Sequence, residues 1–131
     1  MMSAILCVDD EDIILRSLSQ DLSRQFKDYT IELAQNAEDA LEILDELSSE
    51  GVKVLVIVSD WLMPGIKGDE FLIEAHKKFP KVIKILLTGQ ADEKAIKNAQ
   101  LNADLKCTFS KPWESSELVS KIKEEIGKLD E

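Results

Sequence analysis

Cysteine is nearly absent. The two present, Cys7 and Cys107, form no CxxC pair, which argues against a zinc site; both read as small buried hydrophobes. Proline and glycine are sparse, at three and five residues. No Pro/Gly/Ser-rich linker, repeat or low-complexity stretch interrupts the 131 residues, so a single domain is expected over 1–131. Positive charge is in deficit: 16 Lys and Arg face 26 Asp and Glu, for a formal net charge of -10. That balance argues against a phosphate-neutralising basic face, and so against direct nucleic-acid binding. It also disfavours an anionic membrane surface, and a basic protein partner or a bound cation fits better. No apolar run approaches the roughly 20 residues of a membrane span, and Val54–Val58 suits a buried strand instead. Met1-Met2-Ser3-Ala4 lacks a basic stretch ahead of an apolar one, so no signal peptide is expected and the chain reads as cytoplasmic. The one histidine, His76, falls mid-helix and reads as a plain surface residue.

What is present is a regular alternation of two periodicities. Ser3–Val8 is a short apolar run ending in Asp9-Asp10, a strand buried on both faces. Ile14, Leu18, Leu22 and Phe26 recur every fourth residue, which predicts a helix over 11–28. Tyr29–Ala34 is a second strand. Asn36 caps the next helix with Asp39 in capping-box position, its stripe is Ala40, Leu41, Leu44 and Leu47, and Gly51 stops it. Val52–Ser59 is the strongest strand, closed by Asp60, and Pro64-Gly65 marks a loop. A third helix is predicted over 68–79 with Phe71, Leu72, Ala75 and Phe79 inward, ended by Pro80. Val82–Leu87 is a fourth strand. Residues 91–102 form a weakly apolar helix with Ala95, Ile96 and Ala99 inside, and Leu105–Ser110 a poor edge strand containing Lys106. A last helix over 115–129 carries Leu118, Ile122, Ile126 and Leu129.

Five strands alternating with five helices give an α/β fold: a doubly wound parallel sheet, flavodoxin-like in strand order 2-1-3-4-5, with helices on both faces. Its ligands sit at the carboxyl ends of the strands, between strands one and three. In that order Cys7 and Cys107 lie roughly 14 Å apart, beyond the about 7 Å a disulfide tolerates, so none is expected.

The strand ends carry the chemistry. Strand one ends in Asp9 and Asp10, strand three in Asp60, strand four in Thr88 and strand five leads into Lys111. Carboxylates brought together at one sheet edge repel, and a divalent cation relieves them. Oxygen-only ligands suggest Mg2+, which binds through one or two carboxylates plus phosphate. A carboxylate beside such an ion is a nucleophile toward phosphorus, and a lysine and a hydroxyl hold the remaining oxygens. Gly89 leaves room for the phosphoryl group to enter. A cis Lys111-Pro112 bond is expected to aim the lysine inward.

Val8-Asp9-Asp10-Glu11, Ser59-Asp60-Trp61-Leu62-Met63-Pro64-Gly65 with Gly68, Leu87-Thr88-Gly89 and Ser110-Lys111-Pro112-Trp113 stand in order at predicted strand ends. With these the chain resembles the response-regulator receiver family of two-component systems along nearly its whole length. The resemblance implies that Asp60 takes a phosphoryl group from a histidine kinase or a histidine phosphotransfer protein. It implies that Asp10, Asp60 and the Leu62 backbone carbonyl bind Mg2+ (with Mn2+ as a substitute), that Asp9 acts in the same cluster through a water, and that Thr88 and Lys111 bind phosphoryl oxygens. It further implies a conformational switch that controls a partner or attached output domain, with the fourth helix, fifth strand and fifth helix as output and dimer face. One departure stands out. The family's switching aromatic falls at Thr108 here, and the nearest aromatic, Phe109, is one place later. Either a bulge shifts the register, or Thr88 lacks its aromatic partner.

Leu62 and Gln90 occupy places that in this family tune hydrolysis. An apolar Leu62 cannot position a water by hydrogen bonding, so a long-lived phosphoryl group is expected. Such a domain is no enzyme: it catalyses only its own phosphorylation and slow dephosphorylation. The alternative is a Mg2+-dependent phosphohydrolase with an aspartyl nucleophile, which usually needs a second carboxylate where this chain has Leu62. A flavin carrier would need a hydroxyl- and glycine-rich phosphate loop where it has Asp9-Asp10-Glu11. Trp61 and Trp113 flank the site, either as packing over the sheet edge or as partner anchors.

Overall fold

The apolar run without polar alternation lies where both of its faces are covered. In the computed structural model, which describes residues 2–89 and 93–129, the strand β3 (Lys53–Asp60) is the middle of five parallel strands ordered β2-β1-β3-β4-β5. The others are β1 (Ser3–Val8), β2 (Tyr29–Ala34), β4 (Ile83–Thr88) and β5 (Cys107–Ser110). The connecting helices are α1 (Asp12–Gln25), α2 (Ala37–Ser49), α3 (Gly68–Lys78), α4 (Glu93–Asn102) and α5 (Ser115–Lys128). This is the expected doubly wound α/β architecture, in the expected strand order.

Two apolar cores sandwich the sheet. On one face Leu15, Leu18 and Leu22 of α1 and Leu118 and Ile122 of α5 pack on Ile5, Val56, Val58 and Ile85. On the other, Ala40 and Leu44 of α2, Phe71 and Leu72 of α3 and Ala99 of α4 pack on Leu6, Ile57 and Leu86. Alternate residues of each strand feed alternate cores, as the two-residue period of a strand requires. Among the described residues no helix is long and apolar enough to cross a membrane.

The differences from the sequence reading are local. The α1 stripe runs through Leu15 instead of Ile14, which is half-buried, and the helix stops at Gln25 because Phe26 leaves helical angles. Asn36 caps α2 as expected, its Oδ1 accepting the Asp39 N–H at 2.8 Å. The predicted start of the fourth helix, Ala91, and also Gln90 lie outside the described residues. The fifth strand is shorter than expected, and Lys106 precedes it. Leu129 ends α5 as an exposed cap. Both cysteines are free, and burial raises their thiols, Cys7 to about 12 and Cys107 to about 11.

One finding adds to the sequence reading and another corrects it. Lys84 of β4 is 0% exposed, with Nζ donating to the carbonyls of Val82 at 2.7 Å and Pro80 at 3.3 Å. His76 is no plain surface residue: it is half-buried, with Nδ1 shut from solvent and no hydrogen-bond partner among the described residues. Burial lowers its pKa, and the neighbouring Lys84 charge lowers it further.

The β4–β5 pairing answers the question of the switching aromatic. Leu86 pairs with Thr108 and Leu87 with Phe109, with no register shift. Thr108 is therefore exposed, while Phe109 packs on the α1/α5 core. No bulge restores the aromatic to the expected face.

Candidate functional site

Parallel strands with crossovers to opposite faces leave a crevice at their carboxyl ends, and the acidic strand ends meet there. One carboxylate oxygen from each of Asp9, Asp10 and Asp60 lies within 4.8 Å of the others. Asp9 is 0% and Asp60 5% exposed, while Asp10 faces solvent. Lys111 reaches in from the loop after β5. Its Nζ lies 2.7 Å from Asp9 Oδ2 and 3.0 Å from Asp60 Oδ1. The Lys111 N–H donates to the Thr88 carbonyl at 3.0 Å, which ties this loop to the end of β4, and the Lys111-Pro112 bond is cis.

The segment after Asp60 is held from two sides. The Trp61 N–H donates to Leu87 O at 3.0 Å, and Trp61 O accepts from the Gly68 N–H at 2.8 Å. That second contact brings α3 so close that a Cβ at Gly68 would sit 2.1 Å from the Asp60 carbonyl oxygen. Only glycine fits there. The resulting cleft, about 450 Å³, is lined by Asp10, Asp60, Leu62, Lys67, Gly89 and Lys111 among others. A Cβ at Gly89 would meet only open space. Thr88 ends β4 half-buried, and Gly89 beside it lines the cleft. A second cavity, about 480 Å³ at the opposite strand ends, has Leu44, Val54, Phe79 and Val82 in its wall and no carboxylate among the described residues.

Charge at this site is uncomfortable as it stands. Burial raises the Asp60 pKa above the usual carboxylate value, and the Asp9 and Asp10 charges add to it, against the opposing hydrogen bond and charge of Lys111. For Lys111, burial works against the ammonium, but its bonds to Asp9 and Asp60 outweigh it and hold the pKa above the ordinary value. Asp9 spends both oxygens on protein donors, Lys111 Nζ and the Glu11 N–H at 2.9 Å. Asp10 and the second oxygen of Asp60 have no protein donor among the described residues. An all-oxygen donor set with this excess of negative charge suits a hard divalent cation such as Mg2+. Asp10 and Asp60 are the side chains with oxygens to spare for it.

Two residues of this region were not foreseen. Lys67 lines the cleft, with Nζ 3.2 Å from Met63 O. Asp69, buried in the first turn of α3, accepts from Trp61 Nε1 and from Asn98 Nδ2 of α4, each at 3.0 Å. In the sequence Asp69 looks like an ordinary acidic residue at a helix start. Trp61 and Trp113 are both half-buried, each packed against one of the two cores.

Against known proteins, residues 5–123 match the family model described as the response regulator receiver domain. The chain is 34% identical over 129 residues to the sensor kinase CckA of Brucella abortus, covering 98% of this chain and 13% of that protein. Among solved structures it resembles a signal receiver domain of an HD domain-containing protein from Pseudomonas fluorescens Pf-5, at 31% identity and a TM-score of 0.86, covering 97% and 96% of the two chains. It also resembles a CheY-like response regulator receiver domain protein from Methanospirillum hungatei JF-1, at 32% identity and a TM-score of 0.85, covering 99% and 98%. The chain spans 13% to 24% of the length of the curated relatives it matches.

Proposed function

This chain belongs to the response regulator receiver family of signalling domains, and from that premise we propose that Asp60 accepts a phosphoryl group in a Mg2+-dependent reaction. The donor is a histidine kinase or a histidine phosphotransfer protein. The whole chain acts as one receiver in the cytoplasm, and its phosphorylated form controls a partner or an attached output domain. The observation that carries the reading is the convergence of Asp9, Asp10 and Asp60 under a shared Lys111.

Asp10, Asp60 and the Leu62 carbonyl would hold the ion, with Asp9 completing the acidic cluster beside it. When bound, Mg2+ neutralises the carboxylates and draws charge from the phosphoryl oxygens. An Asp60 oxygen attacks phosphorus, the bond from phosphorus to the donor nitrogen breaks, and the imidazole leaves with that electron pair and takes up a proton. Lys111 and Thr88 hold phosphoryl oxygens as their charge develops. Lys111 is pre-positioned for this by its bond to the attacking carboxylate. The exposure of Thr108 and the inward packing of Phe109 support a switch in which Thr88 works without an aromatic partner on β5.

Incubation with Mg2+ and acetyl phosphate, followed by intact mass, tests the proposal. The wild type gains one phosphoryl group and Asp60→Asn gains none; an unmodified wild type contradicts it. Leu62 stands 58% exposed at the cleft and offers no group to orient a water. Once the donor is removed, the phosphoryl group therefore persists for minutes or longer. Its loss within seconds would refute that part.

A further inference from the structure

Lys67 breaks two local rules at once. It occupies the N-cap of α3, where Ser, Thr, Asp or Asn normally supplies an acceptor, and it makes no side-chain cap hydrogen bond. Its charge also opposes the positive end of the helix dipole. Residues that violate local preference without structural return mark functional positions. The place of Lys67 explains what it does. It lines the cleft with Asp10, Asp60 and Lys111. Lys111 is already shared between Asp9 and Asp60. Lys67 gives only one hydrogen bond, to Met63 O, and has no ion pair among the described residues.

A phosphoryl donor is an anion, and it approaches a chain of net charge -10 through a cleft whose wall includes Asp10, Glu11 and Asp60. Among the described residues that line the cleft, Lys67 is the cation with no carboxylate partner, so its ammonium is open to meet the donor. We propose that Lys67 positions the phosphodonor: its ammonium pairs with the anionic oxygens of the incoming donor and of the group once it sits on Asp60. The inference rests on the reading of Asp60 as acceptor. With acetyl phosphate, the bond from Asp60 oxygen to phosphorus forms, the bridging P–O bond breaks, and acetate leaves with the electron pair. Lys67 takes no part in the bonds that form and break.

Lys67→Gln tests this, because it keeps a donor for the Met63 carbonyl and removes only the charge. At saturating Mg2+ and low salt, the second-order rate of phosphorylation by acetyl phosphate falls roughly fivefold or more in Lys67→Gln. Lys67→Arg stays within about twofold of wild type, and added salt slows the wild type more than Lys67→Gln. Mg2+ affinity, titrated by tryptophan fluorescence, moves the other way and tightens in Lys67→Gln, because a repelling charge has gone. Misfolding would weaken both. Equal rates for Lys67→Gln and wild type overturn the proposal. So does an Arg variant as slow as Gln, or a joint loss of rate and Mg2+ affinity. A wild type that takes no phosphoryl group while still binding Mg2+ fails the Asp60 reading itself.

Discussion

The least expected side chain is Lys84. A lysine in an apolar strand run gives no hint of which way it points. Its aliphatic stem tolerates the core while its ammonium seeks oxygen, and here that oxygen is the backbone of Pro80 and Val82. Burial pulls its pKa from 10.5 down to about 8. Below about pH 8 the lysine is protonated whether folded or unfolded. From there up to its ordinary value the unfolded chain holds a proton that the folded chain has released, so stability rises with pH. The rise for one such group approaches about 1.4 kcal/mol per pH unit. Urea unfolding of wild type against Lys84→Met checks it: the stability difference shifts in favour of wild type between about pH 7.5 and 9.5. A difference flat with pH contradicts the assignment. Asp9, Asp10 and Asp60 were readable for the opposite reason. Acidic residues that close apolar strands have few structural explanations, and the strand order alone brings them to one edge.

At the scale of elements, the approach of α3 to the end of β3 shapes the cleft, and Gly68 permits it. The clash of a Cβ there is with the backbone of Asp60 and Trp61, which cannot rotate aside. Gly68→Ala therefore costs about 3 kcal/mol or more. Gly89→Ala, whose Cβ meets open space, stays within about 1 kcal/mol of wild type. Thermal or urea melts decide, and a Gly68→Ala protein as stable as wild type would show that α3 does not press on Asp60. The sequence marked Gly68 as a helix start and could not show this approach, which depends on how two elements pack. The bounds of β1 were legible because an unalternating apolar run has sharp ends, whereas the poorly apolar β5 starts two residues later than its sequence suggests. Helix ends were not: the four-residue stripe of α1 continues to Phe26 even though the backbone has already left the helix. For β5 the alternation rule sufficed, since Phe109 faces away from the side that Thr108 takes.

For the molecule as a whole, the sheet order does the assembling. Asp9, Asp10, Asp60, Thr88 and Lys111 are dispersed along the chain, yet each closes or follows a strand, and parallel strands end on the same side. That is why most of the site could be read from the sequence. Side-chain partners across helices could not: the bonds of Asp69 to Trp61 and Asn98 depend on the packing of α3 against α4, which no periodicity encodes. The central claim is that the strand ends form a pocket for one divalent ion beside a carboxylate with a free oxygen. Anomalous diffraction from crystals soaked in manganese tests it most directly. We expect a single peak between the Asp10 and Asp60 carboxylates with the Leu62 carbonyl in contact; Asp10 and Asp60 lying apart with no peak between them would contradict the account.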